Sequence, residues 1–295
     1  MLRDYVPEII YIMGTARSGT TILEILLSNN PGIVGCGELT YIFRDGFTGK
    51  EICSCGKKAC ECEFWQAVKN ICSWEEEDIL RFARLFYSMD WHHNFPAVAL
   101  KIVSPNKLRQ YIDVNRSLFQ AIHQASGVRV IVDSSKYAAR ALLLNRAFPD
   151  KVKVLCMTRS PAGLIRSFQK KDAEEQKPKS IVNIIAYYIY VLLCLRVVAW
   201  SLGPKMLKIT YEELATNPQE TLLKIEKWCG YDLSSVRNKI RSNEWLNVGH
   251  IVTGNRLRKK GRIQFQPEIG SIKLLGRTNL FAMRIMDLVR VVLRF

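Results

Sequence analysis

The short apolar run Ile9–Met13 leads, without a spacer, into the glycine-rich segment Gly14-Thr15-Ala16-Arg17-Ser18-Gly19-Thr20-Thr21. The apolar pattern then resumes with helical spacing as far as about Asn29, where Asn30 and Pro31 close it. A strand that turns through glycines into a helix points to an α/β protein that binds a negatively charged group. The glycines let successive backbone N–H groups point inward, and the helix adds the positive end of its dipole. The nucleotide-phosphate pattern is G-x-x-x-x-G-K-[ST]. Gly14 and Gly19 keep its spacing, but Thr20 stands in place of the lysine and Arg17 lies inside the loop. The loop therefore suits a smaller anion than a metal-bound triphosphate, with Arg17 as its cation.

The rest of the chain repeats the strand–helix alternation. Val128–Val132 reads as a strand, followed by a turn at Asp133–Lys136 and a helix through Phe148. Val152–Thr158 and Met206–Thr210 read as further strands, with helices opening at Ser160–Pro161 and spanning about Pro218–Cys229. This order predicts a central parallel sheet flanked by helices, with the ligand at the C-terminal ends of the strands. The expected organisation is one domain over residues 1–295. A cysteine-containing insertion is expected at 44–74 and an amphipathic C-terminal helix at 278–295. The net charge of +16 calls for an anionic partner. No zinc-finger spacing, basic zipper or RNA-recognition motif suggests that this partner is nucleic acid. Nine cysteines and no apparent secretory signal lead to the expectation of a reducing, cytoplasmic location.

The segments GTARSGTT (Gly14–Thr21) and GCGELT (Gly35–Thr40) together resemble the sulfotransferases that use 3′-phosphoadenosine 5′-phosphosulfate (PAPS). The likeness is to the branch with an R-S-G-T-T loop and a glutamate base, which includes tyrosylprotein and many bacterial sulfotransferases. It implies a three-layer, P-loop-like α/β fold. It also implies that Gly14, Thr15, Ala16, Arg17, Ser18, Gly19, Thr20 and Thr21 hold the 5′-phosphosulfate, with Glu38 as the catalytic base. Four later stretches match the family in order. In VDSSKY, Lys136 falls where the family places a lysine beside the transferred group. In MTRSPAGLIRSF, Arg159 and Ser167 fall at the 3′-phosphate site. In LKITYEEL, Tyr211 falls near the adenosine. In GHIVTGNRLRKKGR, Arg256, Arg258 and Lys259 are candidates for the loop closing over the 3′-phosphate. The chemistry implied is sulfuryl transfer to an acceptor hydroxyl (saccharide, lipid or other small acceptor), leaving 3′-phosphoadenosine 5′-phosphate (PAP). No metal is required, because Arg17, Lys136 and the loop N–H groups supply the positive charge. A small-molecule kinase with an irregular phosphate loop and a non-catalytic, anion-binding, membrane-peripheral protein are the competing readings.

Cys53, Cys55, Cys60 and Cys62 crowd into ten residues, with one residue inside each pair where zinc pairs usually have two to four. That spacing favours a local structural element and leaves metal binding and disulfide formation open. A comparable C-x-C-G segment ending in C-x-F-W recurs in bacterial sulfotransferases. Ile181–Trp200 is apolar and long enough to span a bilayer. Its place between two motifs that share one site predicts a buried helix instead. The C-terminal helix, with Arg284, Asp287, Arg290 and Arg294 on one side, is expected to pack on the core, with contact to an anionic membrane surface as the other reading.

Overall fold

The computed structural model describes residues 5–169, 178–267 and 276–295. Among these, five parallel strands form the central sheet: β1 (Glu8–Gly14), β2 (Ile33–Gly35), β3 (Val130–Lys136), β4 (Val152–Thr158) and β5 (Met206–Thr210). Their order is β2-β3-β1-β4-β5. Strand β1 is buried on both faces, as its continuous apolar run requires in a parallel sheet covered by helices.

Helix α1 (Thr20–Ser28) follows the glycine loop. Between β2 and β3 come α2 (Glu63–Cys72), α3 (Glu76–Asp90), α4 (Phe95–Ala99) and α5 (Pro105–Ser126). Helix α6 (Ala138–Ala147) joins β3 to β4, α7 (Pro161–Gln169) and α8 (Ile181–Leu202) lie between β4 and β5, and α9 (Tyr211–Thr216), α10 (Pro218–Cys229) and α11 (Ser234–Arg241) follow β5. A two-residue antiparallel pair, β6 (Leu246–Asn247) with β7 (Arg262–Ile263), brackets the basic late loop, and α12 (Arg277–Val292) ends the chain. Two apolar clusters fill the two faces of the sheet. One contains Ile9, Tyr11, Met13, Ile131 and Val154 with α2–α8, and the other contains Ile10, Ile12, Val132 and Leu155 with α1, α10 and α11.

The strands at Val152–Thr158 and Met206–Thr210 and the helix at Pro218–Cys229 lie where the sequence places them. Strand β3 differs: it continues through Lys136, so Asp133, Ser134 and Ser135 are strand residues and not the turn or helix cap. The register explains the extension. Tyr11 pairs with Asp133 but Met13 pairs with Lys136, so β3 carries one extra residue there. Such a bulge turns the side chains that follow it, and it brings Lys136 to the strand end with a left-handed φ of 72°.

Helix α8 is long and apolar enough to cross a membrane by length and composition. Its buried side, including Tyr188, Leu192, Leu195 and Val198, belongs to the first core cluster, whereas Val182 and Trp200 are exposed. Helix α12 buries Ala282 and Met286, which lie on the same face at i, i+4. Phe281, Leu288, Val291 and Val292 are left exposed, because a helix that is apolar on most sides cannot hide them all against one neighbour.

Candidate active site

All the strand C-termini meet at one edge. The register sets Gly14 beside Met157 and Thr158 beside Thr210, so the glycine loop, Arg159 and Tyr211 leave the sheet together. Above them lies a cavity of about 550 Å³. Its lining includes Ala16, Arg17, Gly19, Thr20, Thr21, Glu38, Lys136, Arg159, Ser167 and Tyr211, joined from the late loop by Arg256, Arg258 and Lys259. Candidate catalytic and binding residues from six separate stretches of sequence thus converge on one space; Gly14, Thr15 and Ser18 do not line it, and Thr15 and Ser18 are buried beneath the loop.

The loop is held from below and from the side. Ser18 donates its hydroxyl to the Thr15 carbonyl at 2.7 Å, and the Ala16 amide donates to the Tyr187 hydroxyl at 2.8 Å. Gly19 has φ 90°, and a Cβ there would sit 2.6 Å from the Tyr211 ring. Only glycine fits that approach. Arg17 also takes a left-handed conformation, with φ 65°. Non-glycine residues in this region cost on the order of 1–3 kcal/mol each and persist where surrounding structure holds them. The two left-handed cations of the site, Arg17 and Lys136, are both candidates for catalysis.

Glu38 ends the C-G-E segment and pairs with Lys136: Lys136 Nζ donates to Glu38 Oε1. Both side chains are mostly buried yet border the cavity. Thr253 Oγ1 donates to the Glu38 carbonyl at 3.1 Å, and the Asn255 amide donates to Thr21 Oγ1 at 3.2 Å. The late loop is thereby pinned across both motifs. Gly254, at φ 132°, lies between these two bonds, and a Cβ there would stand 3.2 Å from Thr21 Oγ1.

Arg159 donates from Nη1 to the Arg17 carbonyl at 3.1 Å and lies 4.2 Å above the Tyr211 ring. Tyr211 therefore packs between Arg159 and Gly19. Glu212, the next residue, accepts from the Ser160 amide at 3.1 Å and fixes the start of α7, which carries Ser167. Among the late-loop cations, Arg258 is nearly buried and pairs at the cavity wall with Glu51, which also lines the cavity, and with the Ile52 carbonyl. Arg256 and Lys259 also line the cavity.

Several residues that organise this site were not singled out from the sequence. Glu24, on the buried side of α1, accepts from the Gly37 amide at 2.5 Å and from the Ser134 hydroxyl at 2.6 Å. It ties the C-G-E segment to β3, one residue from Glu38. Its position within an apolar helical run was the available signal. Tyr187 supports the loop from α8. Beside the Glu38–Lys136 pair, Tyr41 and Tyr137 share a hydroxyl–hydroxyl bond, and Trp91 stacks on Tyr137 at 6.0 Å and 22°. His92 lies 4.8 Å from Tyr137 and 5.9 Å from Tyr187, and burial lowers its pKa to about 4, keeping it neutral.

Burial raises the Glu24 pKa from 4.5 to about 8, against the opposing hydrogen bonds from Ser134 and Gly37. The folded state thus prefers the protonated acid. Its contribution to stability is complete below about pH 4.5 and is lost as pH rises towards 8. Glu24→Gln is expected to remove that slope, so the variant gains on the wild type between pH 5 and 8. The gain is bounded above by about 5 kcal/mol, at ~1.4 kcal/mol per pKa unit. Urea unfolding of both proteins at several pH values measures it, and parallel pH profiles would refute the assignment.

The fold and site define an α/β transferase with a phosphate-type loop and an acid–lysine pair at the strand ends. The sulfotransferase family model matches residues 7–235, more than half of the chain, so the protein belongs to the sulfotransferase family and is a sulfotransferase enzyme. Among solved structures, sulfotransferase STF9 from Mycobacterium avium matches with a TM-score of 0.52 at 12% identity, covering 99% of this chain and 78% of that one. Mouse SULT7A1, solved in complex with PAP, matches with a TM-score of 0.48 at 11% identity, over 99% and 91% of the two chains. The sulfotransferase domain of the Synechococcus PCC 7002 olefin synthase matches with a TM-score of 0.45 at 17% identity, over 97% and 98%. No curated protein sequence matches the chain.

Proposed function

We propose that this enzyme transfers the sulfuryl group of PAPS to an acceptor hydroxyl, with Glu38 as general base. The observation that carries the reading is the Glu38–Lys136 pair bordering the same cavity as Arg17, Arg159 and Ser167. The cavity suits an anion with two charged ends. Arg17 and the start of α1 line it, and Arg159, Ser167, Arg256 and Lys259 add further cations and a hydroxyl. The close approaches at Gly19 and Gly254 keep this cradle free of Cβ atoms.

PAPS would supply an activated sulfuryl group on a phosphate leaving group. Loop residues 14–21 would hold the 5′ end, and Arg159 with Ser167 the 3′-phosphate, where a guanidinium binds through paired, charge-assisted hydrogen bonds. Tyr211 would bear on the adenosine. Arg256 and Lys259 would add positive charge from the late loop. Glu38 Oε would receive the proton of the acceptor hydroxyl. Lys136 orients that carboxylate and places an ammonium where negative charge develops, and Arg17 does the same from the loop. These side-chain cations do the work that a metal does in many phosphoryl-transfer sites, so the mechanism calls for none.

Thermal shift with PAP, ATP and AMP tests the donor class. At about a hundredfold excess over Kd, PAP is expected to raise Tm by roughly 5 °C or more, with smaller shifts for ATP and AMP. Arg159→Ala is expected to abolish most of the PAP shift. Stabilisation by ATP with magnesium but not by PAP would sink the reading in favour of a kinase.

A further inference from the structure

Three of the crowded cysteines come together with a distant histidine. The ligand atoms of Cys53, Cys55, Cys62 and His250 all lie within 4.8 Å of one another. Cys62 Sγ is 3.3 Å and Cys53 Sγ is 3.9 Å from His250 Nδ1. A tetrahedral zinc ion, with Zn–S near 2.3 Å and Zn–N near 2.0–2.1 Å, has ligand-to-ligand edges of about 3.5–3.8 Å. We propose that Cys53, Cys55, Cys62 and His250 bind one structural zinc ion.

The surroundings are built for this role. Cys53 and Cys55 sit on a tight turn in which the Gly56 amide donates to the Cys53 carbonyl at 2.9 Å and the Cys53 amide donates to the Lys57 carbonyl at 2.9 Å. Cys62 immediately precedes α2. The His250 ring is stacked on Phe64 at 5.1 Å and 15°, and its backbone carbonyl accepts from Trp65 Nε1 at 2.8 Å. These contacts orient the imidazole from outside the ligand set, as supporting groups do in metal sites. Cys60 lies apart, against Gly49, and is not a ligand. One disulfide among Cys53, Cys55 and Cys62 would strand the third thiol beside the imidazole, whereas one ion uses all four groups.

Four protein ligands close the coordination sphere, so the ion is structural and takes no part in transfer. Its position gives it a purpose. Ser54 exchanges hydrogen bonds with Gly249 and Ile251 on either side of His250, and Arg258 reaches back to Glu51 and the Ile52 carbonyl. The ion thus completes a staple between the cysteine-rich turn and the late loop that carries Thr253, Gly254, Arg256 and Lys259 to the cavity. Cys53, Ala59, Cys62 and Trp65 belong to the first apolar cluster, so the thiolate–zinc staple adds to packing at the point where the late loop crosses this stretch.

Elemental analysis of the full-length protein, purified under reducing conditions, tests the site directly. About one zinc per chain is expected in the wild type and in Cys60→Ser, and little in Cys55→Ser and His250→Ala. Cobalt added to the metal-free protein is expected to give the visible bands of tetrahedral thiolate coordination, and these are lost in the same two variants. Cys55 is exposed, so its serine variant folds independently of packing and keeps the test decisive if His250→Ala does not fold. A wild type that neither carries zinc nor takes it up overturns the proposal, as does full zinc content in Cys55→Ser. Zinc content and cobalt spectra do not depend on the PAPS reading. Removal of zinc is also expected to increase protease cleavage within residues 249–262, a readout independent of any donor.

Discussion

Glu38→Gln is expected to lower kcat by about 10²–10⁴, the usual contribution of a positioned general base, while PAP affinity changes less than about threefold. Glutamine keeps the shape and one hydrogen-bond acceptor for Lys136, so the cradle stays in place. It lacks the basic oxygen that takes a proton. The measurement has two arms: release of PAP from PAPS in the presence of an accepted hydroxyl compound, and calorimetric titration with PAP. Near-normal turnover in the variant would exclude Glu38 as the base. Loss of PAP binding in step with turnover would instead place Glu38 among the groups that organise the donor site. Glu38 is close enough to Thr253 and Gly254 for that distinction to matter.

Arg140→Met is expected to destabilise the fold by about 3–5 kcal/mol, as removal of one partner from a buried ion pair does. Arg140 is fully buried. Its Nε donates to Asp133 at 2.7 Å, and its Nη1 contacts Asp90 at 3.2 Å and the Tyr111 hydroxyl at 2.8 Å. Its Nη2 donates to Asn115 at 3.0 Å. Methionine fills much of the same volume but leaves two carboxylates without their cation. The loss is a large part of the 5–15 kcal/mol that holds a typical domain. Burial, opposed by Arg140, already raises the Asp90 pKa. Without the guanidinium this acid takes up a proton more readily, so the deficit should narrow as pH falls. Urea unfolding at pH 5 and pH 8 measures both effects. A loss under about 1 kcal/mol would show that the network is dispensable. The network also reaches the site. Thr40 donates its hydroxyl to Asp90 at 2.6 Å, and its amide donates to Ser135 at 3.0 Å, two residues beyond Glu38. A weakened Arg140 cluster is therefore expected to reduce turnover as well as stability.

Much of this was readable in the chain. The strand and loop at residues 9–21, the strand at 152–158 with Arg159 after it, and the strand at 206–210 with Tyr211 after it all depend on local patterns: short apolar runs, glycines at a turn, a proline opening a helix. Physics that acts within ten residues leaves its mark within ten residues. The end of β3 was less legible. Its polar residues, Asp133, Ser134 and Ser135, look like a turn because polar residues seldom fill a buried strand. They fit there because Arg140, Glu24 and Thr40 satisfy them from three other elements.

The cysteines show the same limit from the other side. A one-residue gap in each pair argues against zinc when only the pairs are counted. The grouping that the fold produces drops Cys60 and brings in His250, 188 residues after Cys62. The sequence alone determined the order of strands and helices, the anion-binding loop, and the residue types that would meet at the strand ends, because hydrophobic period and turn chemistry are local. Only the tertiary structure decided which charges are paired, which acid has its pKa raised by burial, and which histidine lies beside the thiols. Those outcomes depend on burial and on distances between residues far apart along the chain, and neither quantity exists until the layers of the sheet and helices close on each other.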